Sequence, residues 1–416
     1  MRKEAAGIYV TIGAIEAFAG VLAFTITNIY RFEVAGLNAF QLVIVGSAME
    51  AAVFLAEIPT GIVADAYSRR LSVIIGHLGM GLGLLLEASW PSFAGVLVAQ
   101  VFLGIAYTFT SGATTAWVTT EMGDPDRSAL STLFFRAGRW GSAGSLLAVP
   151  MSFALATRNL RLPIILGGVI EVGLGLFLVR AMVETAFHPE PAVAKVGARW
   201  REFAGSARRA VGIIRSSRVL WPLAIATLVA GGAGEAYDRF NEKHFIDDIG
   251  VPRWGGHGAL FWLGVLFSFS SLIGIVVPFV VQRLDPAGTP IRLRRWLVSL
   301  MVAQILGLVV FGITGTFLVA AVGVVVIERV RSVRNTLVGA WIVPLTPKGQ
   351  RATVLSTMGQ FDALGQIGVG PSFGVIGRVW SVPAALVASA GLMAPSVALV
   401  AMAGKTSADA GSQPTG

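Results

Sequence analysis

The groups that could do chemistry in this chain are charges set inside apolar runs. Glu16 lies well inside the first such run, and Asp362 sits at similar depth in a run near the other end. An ionisable side chain at bilayer depth costs roughly 2.5–3.5 kcal/mol on insertion scales, so each is a functional candidate. A carboxylate at the position of Glu16 could bind and release a proton near neutral pH, or take a cationic substrate. Arg136 and Arg139 are one helical turn apart and share a face; Arg331 and Arg334 do the same, beside Glu328 and Arg329. These arginines need acidic partners, for which Glu16, Glu50, Glu57, Glu171, Glu328 and Asp362 are available, or else one of them holds an anionic substrate. Asp362 could face a cavity or pair with basic residues of a link described below; a structural or gating pair is the favoured expectation. Glu171 reads as structural. Glu235 and Arg239, at i and i+4, could close an outer gate or form a solvated helix end. Asn28 and Tyr30 read as polar lining near one end of the first run.

Other chemistries are excluded. The chain has four histidines (His77, His188, His244 and His257) and no cysteine, which removes disulfides, thiolate metal sites and redox chemistry. No nucleophile–base constellation and no metal-ligand spacing occurs, so no catalytic residues, metal or cofactor are expected. The Gly-x-x-x-x-Gly-Lys-Ser/Thr phosphate loop is missing, which argues against an ATP-driven machine. The net charge of +9 would suggest nucleic acid in a soluble protein. Here an excess of Lys and Arg on cytoplasmic links accounts for it, and no nucleic-acid partner is expected.

The elements that must position these charges are membrane helices. Of 416 residues, 55% are hydrophobic and 13% charged, where soluble domains carry about 25% charged residues. Apolar runs near the roughly 20 residues a span needs predict an all-α integral membrane protein. We read twelve transmembrane segments: 6–30, 38–64, 71–90, 93–119, 129–153, 161–185, 219–240, 257–283, 294–313, 317–344, 352–376 and 382–403. The Lys/Arg bias places both termini in the cytoplasm of a multi-pass cell-membrane protein. The longest link, 186–218, divides the spans six and six, giving halves at 1–185 and 219–403 and a polar tail, 404–416, expected to be disordered. That link starts His188-Pro-Glu-Pro191 and continues with apolar residues at Val196, Trp200, Phe203, Ala207, Val211 and Ile214, separated by basic ones. Such a helix should lie on anionic lipid head groups. One offset aligns Ala116-Trp117 with Ala340-Trp341, Arg127 with Arg351, Gly141 with Gly365 and Gly144 with Gly368. This fits two pseudo-symmetric halves duplicated in parallel.

The link between the second and third segments reads Glu57-Ile-Pro-Thr-Gly-Ile-Val-Ala-Asp-Ala-Tyr-Ser-Arg-Arg70. So short a link makes its two helices antiparallel neighbours. Gly61 would allow close helix approach. Asp65 can pair with Arg69 and Arg70 or with a helix N-terminus. This stretch resembles the loop 2–3 signature of the major facilitator superfamily, and its Glu-Ile-Pro-Thr-Gly lead-in resembles a variant of efflux-type branches. The resemblance implies that Gly61, Asp65, Arg69 and Arg70 form a gating motif, with Arg127 and Arg351 at the related inner junctions. Gly370-Pro371 supplies a natural hinge in segment eleven. The family's antiporter signature puts Gly-Pro in segment five, and proton-coupled members carry an arginine four residues before a glycine in segment four. This chain has detached Pro150 in the first place and Gln100 before Gly104 in the second. The expectation is a monomeric secondary active transporter exporting small lipophilic compounds by alternating access, with protons as coupling ion. The runner-up is import or uniport of a small organic anion.

Overall fold

A computed structural model describes residues 2–123, 125–187, 196–252, 254–347 and 350–403, and every regular element among them is a helix. The first apolar run forms α1 (Arg2–Phe24) and α2 (Thr27–Glu33). Next come α3 (Ala39–Ala66), α4 (Arg69–Ser89), α5 (Phe93–Thr110), α6 (Ala113–Glu121), α7 (Arg127–Ala156) and α8 (Leu162–Ala181). The central link holds α9 (Val196–Ser216). The rest is α10 (Leu220–His244), α11 (Ala259–Arg283), α12 (Pro290–Ile313), α13 (Phe317–Ile342), α14 (Arg351–Gly368), α15 (Gly370–Val379) and α16 (Val382–Ala403). Side-chain caps explain several starts. Ser68 accepts from the Leu71 amide at 2.9 Å, Asp126 from Ala129 at 2.8 Å and Thr289 from Arg292 at 3.1 Å, each satisfying an orphan N–H of the first turn.

Eight of these stretches are long and apolar enough to cross a membrane by length and composition: Glu4–Glu33, α3, α4, Phe93–Glu121, α8, α11, α12 and α16. A ninth results if Gly205–Ser216 and Leu220–Ile249, bent by 109°, count as one span. The expected number was twelve. The stretches that fall short alone are α7, α10, α13 and the α14–α15 pair. Each is helical, and each carries mid-run charge: Arg136 and Arg139, Glu235 and Asp238, Glu328 to Arg334, and Asp362. The segments most suspected of function are thus the ones whose composition is least membrane-like.

By packing, the chain divides into two units. One comprises the chain up to Leu37, Ala48–Trp200 and Leu260–Ser268; the other comprises Asn38–Ser47, Arg201–Ala259 and the chain from Phe269. In the first unit α1 packs on α7 and α8, and α4 packs on α5 and α8. In the second α10 packs on α14 and α16, and α12 packs on α13 and α16. The two patterns are the same when α1, α4, α5, α7 and α8 are matched to α10, α12, α13, α14 and α16. The offset seen in the sequence falls on this correspondence. A Cβ on Gly141 would meet the Gly13 carbonyl of α1 at 3.3 Å, and one on Gly365 would run into the Leu228 carbonyl of α10. Gly141 and Gly365 therefore do the same work in the matched helix pairs, whereas Gly144 and Gly368 do not: a Cβ on Gly144 would sit 2.9 Å from the Ala14 carbonyl, and one on Gly368 would meet nothing within 4 Å.

The α4–α8 contact is glycine on glycine. A Cβ on Gly81 would sit 2.6 Å from the Gly168 carbonyl and 2.7 Å from the Val172 amide nitrogen. Gly81→Val is therefore expected to destabilise the folded protein by about 1–3 kcal/mol through overpacking. Gly391→Ala, at a glycine with nothing within 4 Å, should not. Thermal unfolding of both variants in detergent checks this, and equal unfolding temperatures would contradict it.

Candidate functional site

Several of the candidate charges line three cavities, each inside one unit; Arg139, Glu328 and Arg331 line none of these. The first lies in the amino-terminal unit, with a volume of about 450 Å³. It is lined by Glu16 of α1, Tyr107 of α5, Ser145 of α7 and Glu171 of α8, with Met49, Met80, Leu84, Leu103 and Phe24 among its apolar walls. Glu171, expected to be structural, thus joins Glu16 at a cavity. It also accepts or shares a hydrogen bond with His77 Nδ1 at 2.9 Å, both side chains being buried. Arg136 and Arg139 do not line this cavity. Arg136 lines a second one in the same unit, about 780 Å³, beside Trp117, Trp140, Glu4 and Glu121. Arg139 is exposed, and no ion pair to either arginine is found among the described residues.

The third cavity, about 320 Å³, lies in the carboxy-terminal unit. Arg334, Asn335, Asp362 and Thr227 line it, against Leu223, Met301, Leu355 and Met358. Arg334 donates to Gln304 Oε1 at 2.7 Å, and Asp362 accepts from Gln366 Nε2 at 2.8 Å. Asp362 thus lines a cavity, and its hydrogen-bond partner is a glutamine on its own helix. Arg331 pairs bidentately with Asp238 of α10, at 2.5 and 2.8 Å, and stacks over Tyr237. The sequence reading had not counted Asp238 among its partners. Glu328, one turn before Arg331, lies within its electrostatic reach. Glu235 bonds Arg239 Nε at 3.0 Å as expected from the i, i+4 spacing, but it is 2% exposed, which overturns the solvated helix end. A Cβ on Gly46 would overlap the Arg239 guanidinium, so that glycine makes its room.

A buried cluster was missed altogether. Arg31 Nε meets Glu87 Oε1 at 2.8 Å, its Nη2 meets Oε2 at 3.3 Å, and Gln100 Nε2 donates to Oε2 at 2.6 Å. The Tyr30 hydroxyl donates to the Glu87 carbonyl at 2.7 Å, so Tyr30 is fixed inside the unit and does not line a pore. Arg31 falls just outside the expected segment 6–30. It lies in α2, where the helix resumes past the apolar run, and is 2% exposed. Gln100, noted as the departure from the expected arginine, is a ligand of this cluster.

The loop 2–3 motif is clasped by the chain that follows α8. Asp65 pairs with Arg69 at 3.5 Å. Arg69 Nη1 donates to Thr120 Oγ1 at 2.7 Å and the Ala116 carbonyl at 3.2 Å, with the Phe187 ring beneath it. Arg70 donates to the Met182 and Val179 carbonyls, both at 2.6 Å. Glu184 accepts from the Arg69 and Arg70 amides at 2.9 and 3.1 Å, a carboxylate at the α4 N-terminus where the helix dipole favours it. Glu121 accepts from the Thr185 and Ala186 amides. Glu184 lies outside the motif, and both carboxylates act across a loop, which the loop 2–3 spacing does not record. Gly61 shows no close approach: a Cβ there would meet nothing within 4 Å. Arg351 Nε donates to the Thr346 carbonyl at 3.4 Å. Arg127 opens α7, but its side chain lies outside the described residues, as do 188–195 and the tail 404–416. The helix ladder breaks at Val369, immediately before Gly370-Pro371, where the expected hinge falls.

The sequence matches the Major Facilitator Superfamily profile over residues 7–330, and the chain belongs to that superfamily. No curated protein sequence matches it. Among solved structures, the nucleoside transporter NupG is similar with a TM-score of 0.74 at 16% identity, covering 96% of this chain and 98% of NupG. A bacterial homologue of the human lysosomal transporter Spinster, inward-facing and unoccupied, has a TM-score of 0.71 at 14% identity, covering 97% and 96%. A POT family transporter in complex with 5-aminolevulinic acid has a TM-score of 0.68 at 13% identity, covering 95% and 94%.

Proposed function

We propose that the chain is a secondary active transporter that exports small lipophilic compounds, neutral or cationic, in exchange for protons. One observation carries this reading. The cavity around Glu16 is walled by methionines, leucines and a phenylalanine, carries two carboxylates, and has no basic side chain in its lining among the described residues. Apolar walls take the body of such a compound, and the carboxylates take its charge or a proton. Alternating access would move twelve spans in two halves, 1–185 and 219–403, with both termini cytoplasmic and Gly370-Pro371 flexing.

A second reading, uptake or uniport of a small polar or anionic solute, is supported by Arg334, Asn335 and Asp362 at the carboxy-terminal cavity and by Arg136 at its own. The nucleoside and 5-aminolevulinic acid names of similar structures weigh in the same direction. Inverted membrane vesicles with an imposed pH gradient separate the two. Collapse of the gradient on adding lipophilic cations supports the first. A response to organic anions alone, or to no compound in folded protein, refutes it.

The central helix is the remaining partner surface. Ala210 and Ile214 of α9 are buried in the core of the carboxy-terminal unit with Leu220, Leu293 and Leu297. That part of the apolar face therefore lies on protein, not on lipid as expected. Arg208, Arg209 and Arg215 remain exposed. Each basic residue near an anionic surface contributes about 1 kcal/mol. Replacing all three by alanine should weaken the stimulation of transport by phosphatidylglycerol in phosphatidylcholine vesicles. Unchanged stimulation would exclude a lipid role.

A further inference from the structure

The amino-terminal unit contains two buried acid–base pairs that differ in one respect. In the Arg31–Glu87–Gln100 cluster both carboxylate oxygens and the guanidinium are satisfied. Arginine stays charged at any physiological pH, so that cluster is a fixed brace. The His77–Glu171 pair is unlike it. His77 is fully buried and bonds Glu171 through Nδ1 at 2.9 Å, yet its Nε2 has no hydrogen-bond partner among the described residues. Glu171 also lines the cavity that holds Glu16. Histidine is the side chain whose charge changes near neutral pH. We propose that His77 and Glu171 form a second proton-binding site, which exchanges protons with Glu16 across this cavity.

The chain places the pair by construction. Gly81 lies one turn beyond His77, and Gly168 and Gly175 flank Glu171. The Gly81 and Gly168 backbones meet, and a Cβ on Gly175 would strike Leu78 at 2.7 Å. With α4 and α8 this close, the two side chains share one level of the interface. The groups near His77 come from the helices around it. Helix α8 contributes Glu171 and α1 contributes Glu16, which interact electrostatically with one another and with the ring. Helix α5 carries no charged residue and brings Tyr107 to the cavity. The one charge of α6, Glu121, is occupied at its far end by Thr185 and Ala186.

Proton balance then follows. With a neutral imidazole and an ionised carboxylate the pair carries one negative charge. One further proton, on Nε2, makes it an imidazolium–carboxylate pair with no net charge. When Glu16 gives up its proton to that nitrogen, the negative charge moves from the pair to Glu16 and the total is unchanged. Two ionised carboxylates at a cavity with no basic lining repel one another. A cation arriving there stabilises that doubly negative state and expels the shared proton. Release of the cation lets the proton return. The Tyr107 and Ser145 hydroxyls, both on the cavity wall, can relay it.

The test has two arms. In the first, ¹⁵N-histidine NMR follows the His77 ring in nanodiscs, its signal identified by its loss in His77→Gln. In the otherwise intact protein His77 should titrate, and Glu16→Gln should move its midpoint by about one pH unit, as expected for coupled sites. A midpoint that stays in place overturns the proposal. This arm needs no substrate. The second arm rests on the proposed export function: His77→Gln and Glu171→Gln, each shown to be folded, should shift the pH profile of gradient-driven transport. An unmoved profile in both also overturns it. If the intact protein moves no protons with any compound while the NMR coupling is present, proton-driven export fails and the second site stands.

Discussion

Glu87→Ala is expected to destabilise the protein by about 3–5 kcal/mol, because it leaves an uncompensated guanidinium in the interior. Glu87 is fully buried and Arg31 is 2% exposed. Loss of the carboxylate strands Arg31 Nε and Nη2 together with the Gln100 amide, all of which it now accepts from. The cost is the desolvation of a charge with no water to return to, not the worth of one ion pair. Two further variants separate these terms. Glu87→Gln keeps an acceptor and should cost less than the alanine. Joining Glu87→Met to Arg31→Met removes both charges and should recover much of the loss, since apolar groups of similar volume fill the site without a penalty. Unfolding in urea or by heat in detergent gives each value, and the double-mutant cycle gives the coupling. Equal stability of Glu87→Ala and the unchanged protein would mean that Arg31 finds another acceptor.

The sequence made the helices legible and most of their partners illegible, for a physical reason. A span is a local property of roughly 20 residues, so the apolar runs could be read off directly, and each of α1 to α16 overlaps one of them or the central link. The i, i+4 pairs Asp65–Arg69 and Glu235–Arg239 could be read for the same reason, since helix geometry alone fixes them. A contact between helices depends on the rotation of each about its axis, which hydropathy does not record. His77 with Glu171, Arg31 with Glu87 and Asp238 with Arg331 are all of that kind. The signal that could have helped was the glycines. Gly81 and Gly168 mark where α4 and α8 touch, and residues one turn away are those that can meet. Arg31 shows a second limit. It follows the apolar run and so falls outside the expected segment 6–30, but α2 extends to Glu33 and carries it inward. Gly61 shows the converse: a motif glycine was given a packing role that its surroundings do not bear out.

Glu16→Gln should reduce ion-driven transport to the vesicle background while the protein remains folded. The side chain is half-buried on α1 and faces the cavity that also holds Glu171. Glutamine keeps its volume and a hydrogen-bonding oxygen but can neither take up nor release a proton in transport, so what is removed is the coupling and not the cavity. Arg136→Ala supplies the contrast. Arg136 lines a different cavity, beside Trp117 and Trp140, and under the export reading its loss leaves gradient collapse by lipophilic cations in place. Under the anion reading the order reverses: Arg136→Ala abolishes transport and Glu16→Gln spares it. Both variants belong in one experiment, with the pH gradient across inverted vesicles as the common readout. Unchanged gradient-driven transport by folded Glu16→Gln would remove Glu16 from the mechanism. Loss in that variant alone would leave the amino-terminal cavity as the place where proton and substrate meet.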